Sequence, residues 1–413
     1  MLKRHSIYLF AFLLLSPLSI TLLEVSGKPV DISSSDLMSV LIPFSLIYVG
    51  LRNKLTLLLP AFLIFFYLSL AMIHSILEGG QLSNVISSLR FSKQFLMIAA
   101  GGAFFVIYKQ NKSNVFVCVF CVISVVILFS DIVWGGFPRG CGYEGRWGGC
   151  FLGLDVYGFP NSSASYLAIG FLVILFLHSI KLVSVKVTIF AFVIIAILSL
   201  LSLSRASWVT LFLGGIGFLI FLRNPFLIFA YLSLFFITAC MIFFNMDAII
   251  DMPIFEGMVN KVAYYSSGNE MTSGRTHIWF DTLVLWSDQP LFGYGFDYFS
   301  KYVVGFDTPH QQYLELLYKS GFFGTVIYLL LCCYTVFLLS VFLKYKANFN
   351  EGNIPLRLLA IVAFPVAVNG LFQPILSYST VANIAMFTLG YLLEFNKVKF
   401  SEGENETSTT RYG

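Results

Sequence analysis

Runs of apolar residues, broken by short polar segments, recur along almost the whole chain. They fall at residues 6–23, 37–51, 55–73, 92–108, 115–133, 163–180, 187–203, 206–222, 225–246, 322–343, 356–375 and 378–394. Most approach the length, about 20 residues, that a helix needs to cross a bilayer. The pattern predicts an all-α, polytopic integral membrane protein of about 12 transmembrane helices over residues 1–399. Two long polar stretches interrupt it, residues 134–162 and 247–321, the longer one partly helical. The Ser-, Glu- and Thr-rich tail, 400–413, reads as disordered.

Charge sets the orientation. The short basic loops at Arg52/Lys54, Lys109/Lys112, Lys181/Lys186, Arg223, Lys344/Lys346 and Lys397/Lys399 all fall on one side of the predicted layout, together with both termini. The positive-inside rule makes that side the cytoplasm, so both long loops lie outside. With a net charge of only +4 and no basic tract, nucleic acid is excluded as a partner. The first run follows Lys3, Arg4 and His5 and has no small-residue cleavage site before Glu24. It reads as a retained span, with a cleaved signal peptide as the alternative.

Five cysteines (Cys118, Cys121, Cys240, Cys332, Cys333) sit inside apolar runs, where a thiol behaves as a small hydrophobe. Cys141 and Cys150 bracket a Gly-rich stretch of the first outer loop, and a disulfide there is expected. A metal site is the weaker alternative, since no His lies near.

The second outer loop carries the chemistry. Residues 273–288 place Ile278, Trp279, Thr282, Leu283 and Trp286 on one helical face and His277, Asp281 and Asp288 on another, with Ser273 as cap. Arg275 then enters the first turn, where a cation opposes the helix dipole unless an anion is shared. A lipid-linked phosphate fits, and so does a solvated arginine. Further on, Thr308-Pro309-His310-Gln311 reads as a helix start, with Thr308 as cap and Gln311 completing a capping box. His310 would sit in the first turn, held neutral by the dipole: a general base, or a structural histidine. His74, at an outer span end, is a second candidate.

Ser204-Arg205-Ala206 joins two runs with almost no loop, which sets Arg205 at the outer membrane boundary. A charge costs about 2–3 kcal/mol nearer the centre, so such a residue is a functional candidate by default. Arg90 and Lys93 lead into the fourth run from the same side, to bind phosphate or to snorkel.

Taken in order, the Ser204-Arg205 hairpin, Gly274-Arg275, Pro290-x-x-Gly293-x-Gly295, His310-x-x-Tyr313-Leu314 and Gly321-x-x-Gly324 resemble the core of the O-antigen polymerase and O-antigen ligase superfamily, over roughly residues 160–395. Gln311 departs from the Asn that many relatives carry after the histidine. The resemblance implies a cofactor-free, metal-independent glycosyltransferase at the periplasmic face of the bacterial inner membrane. Its substrate would be undecaprenyl-diphosphate-linked oligosaccharide among membrane lipids, with a chain-length regulator as a further partner. By position, His310 would deprotonate the acceptor hydroxyl, and Arg275 and Arg205 would hold the diphosphate. Arg90, Lys93, Arg139, Arg146 and Tyr313 would contact substrate. Glu315 and Asp307 are rival bases. The first outer loop, with Arg139, Arg146 and Gly158-Phe159-Pro160-Asn161, resembles that of a polymerase. A ligase is the alternative, and a lipid-linked sugar flippase a third class, disfavoured because no internal repeat or interrupted helix is evident.

Overall fold

The computed structural model describes residues 2–16, 19–25, 28–34, 54–77, 82–108, 113–133, 148, 150–151, 154–155, 160–179, 181, 183–222, 229, 233, 275–296, 299–306, 308–345, 357–377, 381–391 and 393–394. In chain order these form α1 (Leu2–Leu15), the antiparallel pair β1 (Ser19–Val25) and β2 (Lys28–Ser33), α2 (Leu55–Leu77) and α3 (Leu82–Ser92). A 3-10 turn at Lys93–Phe95 leads into α4 (Leu96–Tyr108), followed by α5 (Ser113–Val133) and a second antiparallel pair, β3 (Cys150–Phe151) and β4 (Leu154–Asp155). Next come α6 (Pro160–Ser179), α7 (Val185–Ser202), α8 (Arg205–Leu222), α9 (Arg275–Asp288) and α10 (Gln312–Tyr345). A π segment, Leu359–Ala363, continues into α11 (Phe364–Gly370), and α12 spans Val381–Tyr391.

The fold is therefore helical with two small hairpins. Leu55–Leu77, Pro160–Ser179 and Gln312–Thr335 are long and apolar enough to cross a membrane, and shorter apolar helices lie at Cys118–Ser130, Val185–Ser199, Arg205–Phe221, Leu359–Gly370 and Val381–Tyr391. These coincide with runs expected from hydropathy; 37–51 and nearly all of 225–246 lie outside the described residues. The first run departs from expectation. Its helix stops at Leu15 rather than continuing to residue 23, and a strand pair follows. Pro17 disfavours helix at the residue before it, and the β-branched Ile20, Thr21 and Val25 suit a strand.

The chain forms two compact units, the first of Met1–Phe116, Trp279–Gly352 and Pro374–Gly413, the second of Val117–Ile278 and Asn353–Gln373. In the first, α2 packs on α3 and α4. Its core is aromatic: Tyr67 stacks on Phe95 at 5.6 Å and meets Phe91 and Phe296 edge-on, while its hydroxyl donates to the Gly324 carbonyl at 3.0 Å. A Cβ on Gly101 would strike the Phe387 carbonyl and one on Gly390 that of Ile98, so α4 and α12 approach backbone to backbone, as small residues permit in membranes. The opposite face of α2, with Phe62, Phe65 and Ile76, is exposed and apolar.

In the second unit α6 is the central helix, with 78% of its apolar window buried against 33% for α2. It packs on α7, α8 and the π segment, and α8 packs also on α11. One seam runs down α8. Thr210 meets Asn369, a Cβ on Gly214 would approach the Ile361 carbonyl at 3.1 Å, and one on Gly217 that of Ala360 at 2.5 Å. At the other end Arg357 donates to the Ser179 carbonyl and lies 5.5 Å from the Phe221 ring. A cation at the last turn of α6 complements the helix dipole. The segment containing Arg357 and α11 thus runs antiparallel to α8, in keeping with the sequence layout. Among the described cysteines, Cys118, Cys332 and Cys333 lie on exposed faces and Cys121 is half-buried.

Candidate functional site

The Pro290-x-x-Gly293-x-Gly295 and Gly321-x-x-Gly324 motifs prove to be two halves of one device in the first unit. Gly321, at φ 61° and ψ −160°, breaks α10. The break frees carbonyls before it and N–H groups after it, which within a membrane protein must find partners. Tyr294 and Gly295 donate their N–H groups to the Tyr318 and Lys319 carbonyls at 2.7 and 3.1 Å. Phe322 and Phe323 donate theirs to Pro290 and Leu291 at 2.8 and 3.2 Å. An interrupted helix is thus present, contrary to expectation, but its freed groups are bonded to the turn. His74, buried beneath the turn, hydrogen-bonds the Phe292 carbonyl through Nε2 at 2.9 Å. That nitrogen therefore donates, which gives His74 a structural role. Tyr294 packs on Tyr302 and Tyr318. Burial first, and then the Asp288 carboxylate 3.5 Å from its hydroxyl, push the Tyr294 phenol up.

His310 stands at the end of this excursion, and its backbone corrects the capping expected from sequence. The helix begins at Gln312, not Pro309. Gln311 is the cap: its Oε1 accepts from the Leu314 N–H at 2.6 Å and its carbonyl from Glu315 at 3.0 Å. Thr308 instead accepts the His310 N–H at 3.2 Å in a local turn. His310 precedes the cap, at φ 53°. A non-glycine residue there is uncommon, and strain of this kind concentrates at functional sites. Three contacts hold the strained stretch. Trp279 Nε1 donates to the Pro309 carbonyl at 3.1 Å, Gln312 Oε1 accepts from the Leu376 N–H at 2.6 Å, and Thr308 Oγ1 lies 3.4 Å from His310 Nδ1. Gln311→Ala should lower stability by about 1 kcal/mol through loss of the cap, read as a lower unfolding temperature in detergent. Of the rival bases, Glu315 is buried and ion-paired with Lys319 one turn on; Asp307 lies outside the described residues.

Arg205 and Arg275 belong to the second unit. Ser204 caps α8, its carbonyl accepting from Trp208 at 3.2 Å. Ser207 donates to the Ser204 hydroxyl at 3.1 Å, and Trp208 Nε1 returns to the Ser199 carbonyl at 2.8 Å. These bonds, with Leu203 at φ 53°, make the tight α7–α8 corner that the sequence suggested. They set Arg205 exposed at the first position of α8. Arg275 opens α9, half-buried, and its Nη1 donates to the Phe372 carbonyl at 3.0 Å. Both cations start helices, where the dipole favours an accompanying anion. Further along α9, Ile278 and Thr282 are buried and His277, Asp281 and Asp288 exposed, as the pattern predicted, whereas Leu283 is exposed.

Of the other substrate candidates, Tyr313 lies half-buried in the first turn of α10 and Lys93 half-buried in the 3-10 turn. Arg90 lies on α3, its side chain outside the described residues, as are Arg139, Arg146, Cys141, the side chain of Cys150, and Ser273. Sequence reasoning gave Trp279 a face but no partner, and it missed Asn369. An amide inside an apolar run was the available signal.

Fold and side chains together define a helical membrane protein in which cationic residues open two helices and a strained histidine precedes a third. Residues 190–329 match the family model described as O-antigen ligase. The match covers about a third of the chain and supports the resemblance of its motifs to the O-antigen ligase and polymerase superfamily. That family acts in O-antigen assembly on lipid-linked polysaccharide, and the match supports a glycosyltransferase-like activity of the same kind. No curated protein matches the chain.

Proposed function

We propose that the protein is an O-antigen polymerase, transferring undecaprenyl-diphosphate-linked glycan onto a lipid-linked repeat unit at the periplasmic face of the inner membrane. The observation that carries the catalytic assignment is His310: a strained histidine held from both sides by backbone-directed bonds of Trp279 and Gln311. With Nδ1–H turned to Thr308 Oγ1, Nε2 carries the lone pair that takes the proton of the acceptor hydroxyl. The freed oxygen attacks the anomeric carbon, and the bond to the diphosphate breaks with its electron pair on the leaving oxygen. Arg275 and Arg205 meet the charge that develops there, favouring the transition state over the bound substrate. Arg90, Lys93, Arg139, Arg146 and Tyr313 are assigned to substrate contact, as the resemblance implies. The ion pair of Glu315 with Lys319 supports histidine over carboxylate as the base.

The polymerase reading rests on the arginine-bearing first outer loop. A ligase, transferring the finished chain to lipid A-core, is favoured instead by the description of the matched family. A deletion strain separates them. Loss of the long ladder with a single repeat still on core marks a polymerase; loss of all O-antigen from core, with polyprenyl-linked chains accumulating, marks a ligase. Purified protein that elongates or transfers no matched lipid-linked donor would sink both. Arg275→Ala should lower kcat/KM by about 10²-fold, and Arg275→Lys should recover little, because a point charge lacks the guanidinium fork. Full activity in the alanine variant would remove Arg275 from the diphosphate site.

A further inference from the structure

Asn369 is fully buried near the end of α11 and connects, by short hydrogen-bonded paths within one unit, to the segments bearing both arginines. On one side its Nδ2 donates to Thr210 Oγ1 at 2.8 Å, and Thr210 donates in turn to the Ala206 carbonyl at 2.7 Å, in the turn of α8 that Arg205 opens. On the other, its main-chain carbonyl accepts from the N–H groups of Phe372 and Gln373, both at 2.9 Å. That closes the turn whose Phe372 carbonyl receives Arg275 at 3.0 Å. Among the described residues no donor meets Asn369 Oδ1. A buried polar atom without a partner costs stability, so packing alone is a poor reason for an amide here.

We propose that Asn369 is a positioning residue that sets the spacing of the Arg205 and Arg275 guanidinium groups to that of two linked phosphates. The inference rests on the reading that these arginines hold a diphosphate. A single phosphate can be met by one guanidinium, whereas a diphosphate engages both only if their separation is fixed. Loss of the brace therefore harms recognition of diphosphate more than of monophosphate, which a purely structural role of the amide would not do.

The test uses the full-length protein in nanodiscs, with undecaprenyl diphosphate and undecaprenyl phosphate as probes. Asn369→Ala and Thr210→Val should each cut the preference for diphosphate over monophosphate by about tenfold. Thr210→Ser, which keeps the hydroxyl, should restore it. Should Asn369→Ala fail to fold, the Thr210 pair carries the test alone. Wild-type preference in Thr210→Val, alongside its loss in Arg205→Ala and Arg275→Ala, overturns the positioning role and leaves the diphosphate site standing. Wild-type preference in both arginine variants overturns the diphosphate site and the inference with it.

Discussion

His310→Asn should lower sugar transfer by about 10²–10⁴-fold while the protein accumulates and melts almost as wild type. Asparagine is the informative substitution because it tolerates the left-handed backbone that His310 adopts at φ 53° and cannot take up a proton. Alanine at the same position adds about 1 kcal/mol of backbone strain, so a loss of activity there mixes two effects. Removing a general base lowers the rate by about 10²–10⁴-fold, and the loss should fall on kcat, since the bonds from Trp279 to Pro309 and from Leu314 to Gln311 do not involve the ring. The measurement is single-turnover transfer from a polyprenyl diphosphate donor by purified protein. Wild-type rates in His310→Asn would exclude the histidine as base, and Glu315 would then have to act despite its pairing with Lys319.

The largest effect on stability is expected at the broken helix. A Cβ on Gly293 would strike the Tyr318 carbonyl and come within 2.6 Å of the Gly321 N. One on Gly321 would come within 2.5 Å of the Gly293 N and of the Leu291 carbonyl. The obstacles are backbone atoms, and the Tyr318 and Leu291 carbonyls among them take two of the four bonds across the break, so neither side can give way cheaply. Positive φ adds about 1–2 kcal/mol and the overlap about 1–3 kcal/mol, so Gly293→Ala and Gly321→Ala should each destabilise by about 3 kcal/mol or more. Gly305 is the control: its φ is 87° but a Cβ there meets nothing within 4 Å, so Gly305→Ala should show the conformational part alone, about 1 kcal/mol. Thermal unfolding in detergent reads the difference. Equal losses at Gly305 and Gly293 would mean that the overlap contributes nothing.

Hydropathy made most of the helices legible because crossing a bilayer demands long apolar runs, and α2, α6 and α10 satisfy it directly. The corner at Arg205 could be read for the same reason, since two runs met with no room for a loop. The hairpin after α1 could not: the apolar strand residues continue the run, and only Pro17 signals the change. The cap at Gln311 was misplaced because Thr308-Pro309 is a strong local start signal. Tertiary bonds from Trp279 to Pro309 and from Leu376 to Gln312 favour a later start, and they come from residues 30 and 64 positions away. The glycine motifs were visible as motifs, but their meaning was pairwise. Neither Pro290–Gly295 nor Gly321–Gly324 predicts alone that it supplies the other's missing hydrogen bonds.

The four bonds across the break at Gly321 also close a loop. Residues 296–317 leave and return at one clamp, and within them Pro309 and Gln312 are held by Trp279 and Leu376. Val304 is 91% exposed and Gly305 faces open space, which makes that tip the place where residues can be inserted, or a label carried, at little entropic cost. Insertion or substitution at the tip therefore leaves the anchor at Gly293 and Gly321 unchanged.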